Sequence, residues 1–318
     1  MNPELTEKIA AKYAKGVESG DVHFSQSDCK KLKDPKTGAQ YMVTHAPSLL
    51  KKPERGDKET KNRNPFAEPE PELTVCDDLY DLGKYKLLLN KFPVVPEHLL
   101  LVTREFKPQI SALDPTDLLT SYRLLQDLDD DDEQIRNLVF YNCGAPSGSS
   151  QDHKHMQVLR WPQKFVAFQD RLCSGKDHFI PDMRTEPLQD AKLSFAHFVV
   201  PLPEDEETVD EDLLAMTFVS LLQRTLTFFQ DWSNEHPELQ TGYNVLLTRQ
   251  WMCLVPRSSS KSSELDIGFN ATGYAGLVLV KHEDVWNKIL EDPHVVDRMM
   301  LECGFPNTAG TSANEYNY

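Results

Sequence analysis

Between Tyr85 and Trp161 the chain sets short apolar runs between proline, glycine and acidic turns, and this spacing restricts the fold more than any other feature. Tyr85 to Phe92 (YKLLLNKF) and Leu99 to Thr103 bracket Pro93 and Pro96, which predicts two strands joined by a turn. Asp114-Pro115-Thr116-Asp117 supplies an N-cap and an N1 proline for a helix reaching about Leu128. The acidic run Asp129 to Glu133 is expected to be a solvated turn. Asn137 to Asn142 predicts a third strand, Gly144 to Ser150 (GAPSGSS) a loop, and His153 to Trp161 a fourth strand. This order is α+β with an antiparallel meander, not the regular alternation of a doubly wound sheet. No GxGxxG or GxxxxGK[ST] sequence occurs, so dinucleotide-binding and P-loop sites have no motif.

Around this segment, residues 3–20 read as an opening helix, followed by a polar stretch. Residues 51–72 (KKPERGDKETKNRNPFAEPEPE) are charged and proline-broken, the composition of a mobile inserted loop. In the second half, Leu193 to Val200 predicts a strand. Thr208 or Asp210 is placed to cap a long helix whose core face would hold Leu213, Leu214, Met216, Phe218, Leu221, Leu222, Leu226 and Phe229. Tyr243 to Thr248 and Trp251 to Val255 predict a hairpin, Ser258 to Ser263 a flexible loop, and Tyr274 to Val280 a strand before a final helical region. The halves, 1–185 and 186–318, show no repeat and are expected to complete one globular unit.

The charge balance narrows the function classes. With 34 Lys and Arg against 50 Asp and Glu, the net charge of −16 argues against broad binding to nucleic acid or anionic membranes. The longest apolar runs fall far short of the roughly 20 residues needed to span a bilayer, and the N-terminus lacks the apolar stretch of a signal peptide. Six scattered cysteines form no CxxC pair, which excludes a zinc ribbon or thioredoxin-type motif and fits a reducing cytosol.

The chemistry concentrates in Ser147 to Gln157, SGSSQDHKHMQ. On a strand, His153, His155 and Gln157 share one face, with Asp152, Lys154 and Met156 on the other. Just before them, Gly148 lets backbone approach a ligand closely, and Ser147, Ser149 and Ser150 offer hydroxyls beside N–H donors that can cradle phosphate. Three readings remain open on residue chemistry alone. The histidines could be core residues satisfied by carbonyls, two ligands of a zinc site whose third is not visible, or a nucleophilic centre acting on phosphorus.

His153-Lys154-His155-Met156-Gln157 resembles the HxHxQ motif of the transferase branch of the histidine triad superfamily. The wider chain is similar to that branch's fungal diadenosine tetraphosphate phosphorylases. The likeness is carried by KLKDP (31–35), YKLLLNKFPVVPEH (85–98), VFYNCG (139–144), SGSSQDHKH (147–155), EPLQDAKLSFAHF (186–198), LTFFQDW (226–232), NATGYAG (270–276) and CGFPNTAG (303–310). The visible departures lie at 51–72 and 258–267.

The resemblance implies a histidine-triad-like antiparallel sheet with flanking helices. It implies phosphorolysis of diadenosine tetraphosphate by inorganic phosphate to ADP and ATP, reversibly, through an adenylyl-histidine. His155 would be the nucleophile, His153 its support, and Gln157 the amide donor to a phosphoryl oxygen. Carried over by position, the substrate pocket would add Lys52, Asn90, Lys91, Asn142, Gly148, Ser149, Ser150, Asn270, Thr272 and Lys281. Read without the resemblance, Lys52 and Lys281 are ordinary surface lysines and Asn90 and Asn142 strand-end turn residues. A divalent cation, magnesium, is expected with the polyphosphate, with no dedicated metal site and no organic cofactor. The expected partners are small nucleotides and phosphate, for a monomer in the cytoplasm, with the nucleus a second compartment. The rivals are a nucleotidyltransferase acting on UDP-sugars and a noncatalytic nucleotide sensor.

Overall fold

The computed structural model describes residues 1–47, 50, 64–182, 184–235, 237 and 240–310. In chain order the elements are α1 (Pro3–Ser19), β1 (Asp28–Lys33), β2 (Gln40–His45), β3 (Thr74–Cys76), β4 (Tyr85–Leu89), β5 (Leu99–Thr103), α2 (Pro115–Leu128), β6 (Asn137–Cys143) and β7 (His155–Arg160). There follow α3 (Phe168–Cys173), β8 (Phe198–Pro201), α4 (Glu211–Glu235), β9 (Gly242–Leu247), β10 (Trp251–Arg257), α5 (Ala271–Tyr274), β11 (Leu277–Val280), α6 (Glu283–Glu291) and α7 (Val295–Cys303). Local chemistry sets the ends of α2. The Asp114 carboxylate accepts the Asp117 N–H while Asp117 accepts the Asp114 N–H, a reciprocal cap ahead of Pro115.

One eight-stranded sheet carries the order β3-β4-β5-β7-β6-β9-β10-β8, with every neighbouring pair antiparallel. It therefore runs unbroken from the first half into the second through the β6–β9 pair, Val139 to Cys143 against Leu247 to Tyr243. A smaller sheet, β1-β2-β11, pairs β2 with β11 in parallel.

The central strands read as continuous apolar runs because both their faces are covered. In β6, Val139 and Tyr141 join one core with Leu125, Met156 and Phe218, while Leu138 and Phe140 join a second with Val43, Trp251, Val278 and Met299. Each such side chain contributes about 1.5–3 kcal/mol on burial. A third small cluster packs Phe66 over Leu88, Leu100 and Val102.

Several expectations change. The polar stretch after α1 holds the β1–β2 hairpin, whose lysine-rich first strand is a solvent-facing edge. Asp129 is not solvated: it is 3% exposed, accepts the backbone N–H and side-chain amide of Asn137, and pairs with Arg249. Of Leu193 to Val200 only Phe198 onward is strand, and Tyr274 lies in α5 rather than β11. Asp210, not Thr208, caps α4 by accepting the Leu213 N–H, and Met216 and Leu226 on that helix are about half exposed (57% and 48%). Ser262 and Ser263 are pinned to the Glu302 carboxylate instead of forming a loose loop. Within 51–72, residues 51–63 lie outside the described residues, but 64–72 is ordered against the sheet through Phe66 and a Glu70–Lys91 ion pair.

Candidate active site

Strand β7 starts at His155 and ends at Arg160, shorter than the expected 153–161, with His153 just ahead of it in an isolated bridge to Pro108; the motif still alternates, His153 and His155 both meeting Phe66. Lys154 and Met156 point into the first core, where the buried Lys154 ammonium donates to Asp117 and to the Ala112 carbonyl (2.8 Å). Asp117 is held in turn by the Tyr85 hydroxyl at 2.7 Å. This anchor on the back of the strand fixes the face carrying His155 and Gln157.

His155 is gripped at two points. Its Nδ1–H donates to the His153 carbonyl at 2.8 Å, which leaves the lone pair on Nε2. Its backbone N–H donates to Gln109 Oε1 at 2.9 Å. The Cα register of β6 and β7 ends at Phe140↔Gln157, and beyond it the Gln109 side chain bridges the splayed strands. Gln109 Nε2 donates to the carbonyls of Asn142 (2.9 Å) and His155 (3.3 Å). Phe66 lies against the His155 ring, with centroids 5.0 Å apart.

His153 holds the neighbouring loops to this strand. Its Nε2–H donates to the Thr103 carbonyl at 2.8 Å, and Nδ1 accepts the Asn64 amide N–H at 3.0 Å. Burial pulls its imidazole below the ordinary 6.5, so the ring stays a neutral donor at physiological pH.

Gln157 Oε1 lies 3.1 Å from His98 Nε2, and His98 Nδ1 lies 3.3 Å from the Asn90 amide nitrogen. Asn90 Oδ1 accepts the Phe92 N–H at 3.0 Å.

The glycine loop meets the second half of the chain. Gly148 has φ +87°, and a Cβ there would lie 2.7 Å from the Phe269 carbonyl and 3.0 Å from Asn270 Cα. The close approach that Gly148 permits here is to another loop of the protein. Asn270 caps α5 by accepting the Thr272 N–H and hydroxyl. Asn142 Oδ1 accepts from the Asn244 amide (2.8 Å) and the Ala271 N–H (3.0 Å). The fully buried Arg257 donates to Asn244 Oδ1, to the Phe269 carbonyl and to the Ser259 carbonyl.

The structure therefore brings Asn142, Gly148, Asn270 and Thr272 together, and ties Asn90 to Gln157 through His98. Ser149 is buried and Ser150 exposed, directly after Gly148. Lys91 follows Asn90, and its ammonium donates to both oxygens of Glu70 (2.8 and 2.9 Å). Lys281 is half-buried just after β11, whose Val280 pairs with His45 in the small sheet. Lys52 lies outside the described residues. Sequence reasoning missed Gln109, His98, Asn64, Asn244 and Arg257. Only His98 carried a local signal, a lone polar side chain at the head of the apolar run of β5.

Comparison with known proteins decides the family. The model described as the Ap4A phosphorylase N-terminal domain matches residues 1–169, and that of the ATP adenylyltransferase C-terminal domain matches residues 191–306. Diadenosine 5',5'''-P1,P4-tetraphosphate phosphorylase 2 of Saccharomyces cerevisiae is 57% identical over 324 residues, covering 100% of both chains. The chain belongs to the Ap4A phosphorylase family. The crystal structure of yeast Ap4A phosphorylase Apa2 superposes with a TM-score of 0.90 at 56% identity, covering 99% of this chain and 98% of that one. The same yeast enzyme in complex with Ap4A superposes with a TM-score of 0.87 at 54% identity, covering 96% and 99%. The expected α+β fold, a large antiparallel sheet with flanking helices, is thus the fold of an Ap4A phosphorylase.

Proposed function

We propose that this chain transfers adenylate from diadenosine tetraphosphate to inorganic phosphate, giving ADP and ATP, with His155 as the nucleophile. The family supplies the reaction, and the observation that carries the residue assignment is the 2.8 Å bond from His155 Nδ1 to the His153 carbonyl. That bond presents Nε2 as the attacking atom and keeps the proton on the far side of the ring. Attack on the α-phosphorus forms an N–P bond and expels ATP, already a stable anion. No proton has to leave the ring: imidazole becomes a cation as the bond forms, and the Nδ1–H···O=C contact strengthens with it. Phosphate then attacks the adenylyl-histidine, ADP departs, and the ring returns to its neutral state.

The supporting groups act by position. His153, a neutral donor to Thr103, holds the carbonyl that orients His155. Gln157 offers amide N–H groups to a non-bridging oxygen, where charge builds up in the transition state. Asn90, Asn142, Ser149, Ser150, Asn270 and Thr272 line the polar end of the site, with Gly148 joining its two loops, and Lys52, Lys91 and Lys281 offer charge to the phosphates. Among the described residues no group of three or more His, Cys, Asp or Glu side chains could hold a metal ion. The expected divalent cation, magnesium, would enter with the substrate as the counterion of its polyphosphate. The same reading has a monomer working in the cytoplasm, with the nucleus a second compartment, and light scattering tests the first of these.

The test is incubation with diadenosine tetraphosphate in the absence of phosphate, followed by intact-mass analysis. The native protein should gain one adenylate, mapped to His155 and released as ADP when phosphate is added. His155→Ala should bind nucleotide but form neither adduct nor product. An adduct on another residue, or turnover by His155→Ala, overturns the assignment.

A further inference from the structure

An amide side chain is two-faced, and a phosphoryl oxygen can use only its nitrogen. The Gln157 carbonyl turned the same way would set a lone pair against the phosphate. The hydrogen bonds behind Gln157 settle which end faces where. The Phe92 N–H occupies Asn90 Oδ1 at 3.0 Å, so the Asn90 amide nitrogen must face His98. An amide nitrogen only donates, so His98 Nδ1 accepts and the ring proton sits on Nε2. Nε2–H lies 3.1 Å from Gln157 Oε1, which therefore accepts and turns the Gln157 NH2 group away from His98. His98 is itself buried and cannot exchange this role with water.

We propose that His98 is a positioning residue that, in its Nε2–H tautomer, locks the Gln157 amide so that its N–H donors face the transferred phosphoryl group. The order of the relay starts from a backbone N–H, which cannot reverse, and each later member has one allowed direction. The proposal rests on Gln157 acting as the donor.

Two variants separate the ring nitrogens. Glutamine at 98 carries its terminal NH2 to about the place of Nε2 and keeps a donor for Gln157. Asparagine reaches only the place of Nδ1 and loses it. Losing a transition-state donor outright costs roughly 10²–10³ in rate, whereas freeing an amide that can still find the phosphate costs less, about tenfold. His98→Asn should therefore slow single-turnover adenylyl transfer by about tenfold with nucleotide affinity unchanged, while His98→Gln stays near the native rate. In a Gln157→Ala background, His98→Asn should have no further effect.

Circular dichroism and thermal unfolding of each variant establish that the comparison is made on folded protein. Equal rates for His98→Gln and His98→Asn overturn the proposal, as does a His98→Asn loss that persists in full without Gln157. A native rate in Gln157→Ala alone removes the donor reading of Gln157, and the proposal with it. That failure shows in a variant with His98 intact and is distinct from a failure of the relay.

Discussion

Replacing Gln109 by methionine keeps a side chain of similar length and removes its polar atoms, which isolates the bridge that holds β7 to β6 beside His155. Three hydrogen bonds disappear: the His155 N–H to Oε1 at 2.9 Å, and those from Nε2 to the carbonyls of Asn142 at 2.9 Å and His155 at 3.3 Å. The site is closed to solvent, with Gln109 only 2% exposed, so water does not replace them. The His155 N–H and the Asn142 carbonyl are left buried, each at a cost of about 1–3 kcal/mol, or roughly 4 kcal/mol together. A domain with a net stability of about 5–15 kcal/mol survives this loss but feels it. The strand end should also drift, and if His155 attacks as proposed, a displacement of about 1 Å there lowers the rate by roughly 10². Urea unfolding measures the first effect and single-turnover adenylyl transfer the second. A loss below about 1 kcal/mol, the worth of one ordinary hydrogen bond, with a near-native transfer rate would refute the reasoning.

His197 gives a pH prediction. Burial lowers its imidazole from the ordinary 6.5 to about 4, while it donates Nδ1–H to the Phe195 carbonyl and accepts the Asp190 N–H. Between those values the unfolded chain binds a proton that the folded chain refuses. This contribution is therefore complete above 6.5 and falls as pH drops toward 4, by roughly 3 kcal/mol. His197→Gln should flatten that part of the slope in urea titrations, and an unchanged slope would assign it to other groups. Gly148→Ala forces a Cβ to 2.7 Å from the Phe269 carbonyl at φ +87°. Strain of about 1–3 kcal/mol should part the two loops and weaken nucleotide binding by roughly tenfold, read by calorimetry; native affinity would show that the loops need not touch.

What the letters revealed follows from what is local. The cap of α2, the apolar strands β4 to β7 and the shared face of His155 and Gln157 are encoded within a few residues, and all were legible. Asp129 was misread because a run of acids usually faces water, whereas its partner Arg249 arrives from 120 residues away on the turn before β10. Strand β1 escaped because an edge strand can be lysine-rich and still pair fully with β2. Gln109 lies outside any helix or strand, and nothing in its neighbourhood foretells that it completes a ladder where two strands diverge. Phe66 was hidden by the charge around it. That ring packs over Leu88, Leu100 and Val102 and lies close against the ring of His155.

The same contrast explains why the site needs both halves of the chain. His155 and the glycine loop come from the region before residue 160, while Asn244, Arg257 and Asn270 come from the region after 240. A fully buried guanidinium is costly unless its donors are satisfied. Here Nε donates to the Cys303 carbonyl at 3.0 Å, Nη1 to Asn244 Oδ1 at 2.6 Å, and Nη2 to the carbonyls of Ser259 at 2.7 Å and Phe269 at 3.0 Å, with the Tyr274 ring 4.6 Å below. A planar fork can serve oxygens in several directions at once, which a lysine ammonium on a flexible stem cannot. Asn244, held by Arg257, donates to Asn142 Oδ1 and to the Ser147 carbonyl, so the same cation sets the loop that carries Gly148. The strand pair β6–β9 and this arginine thus close the sheet and the site together. Neither half alone can place Gly148 against Asn270, because the groups that hold them apart at the right distance are divided between the two.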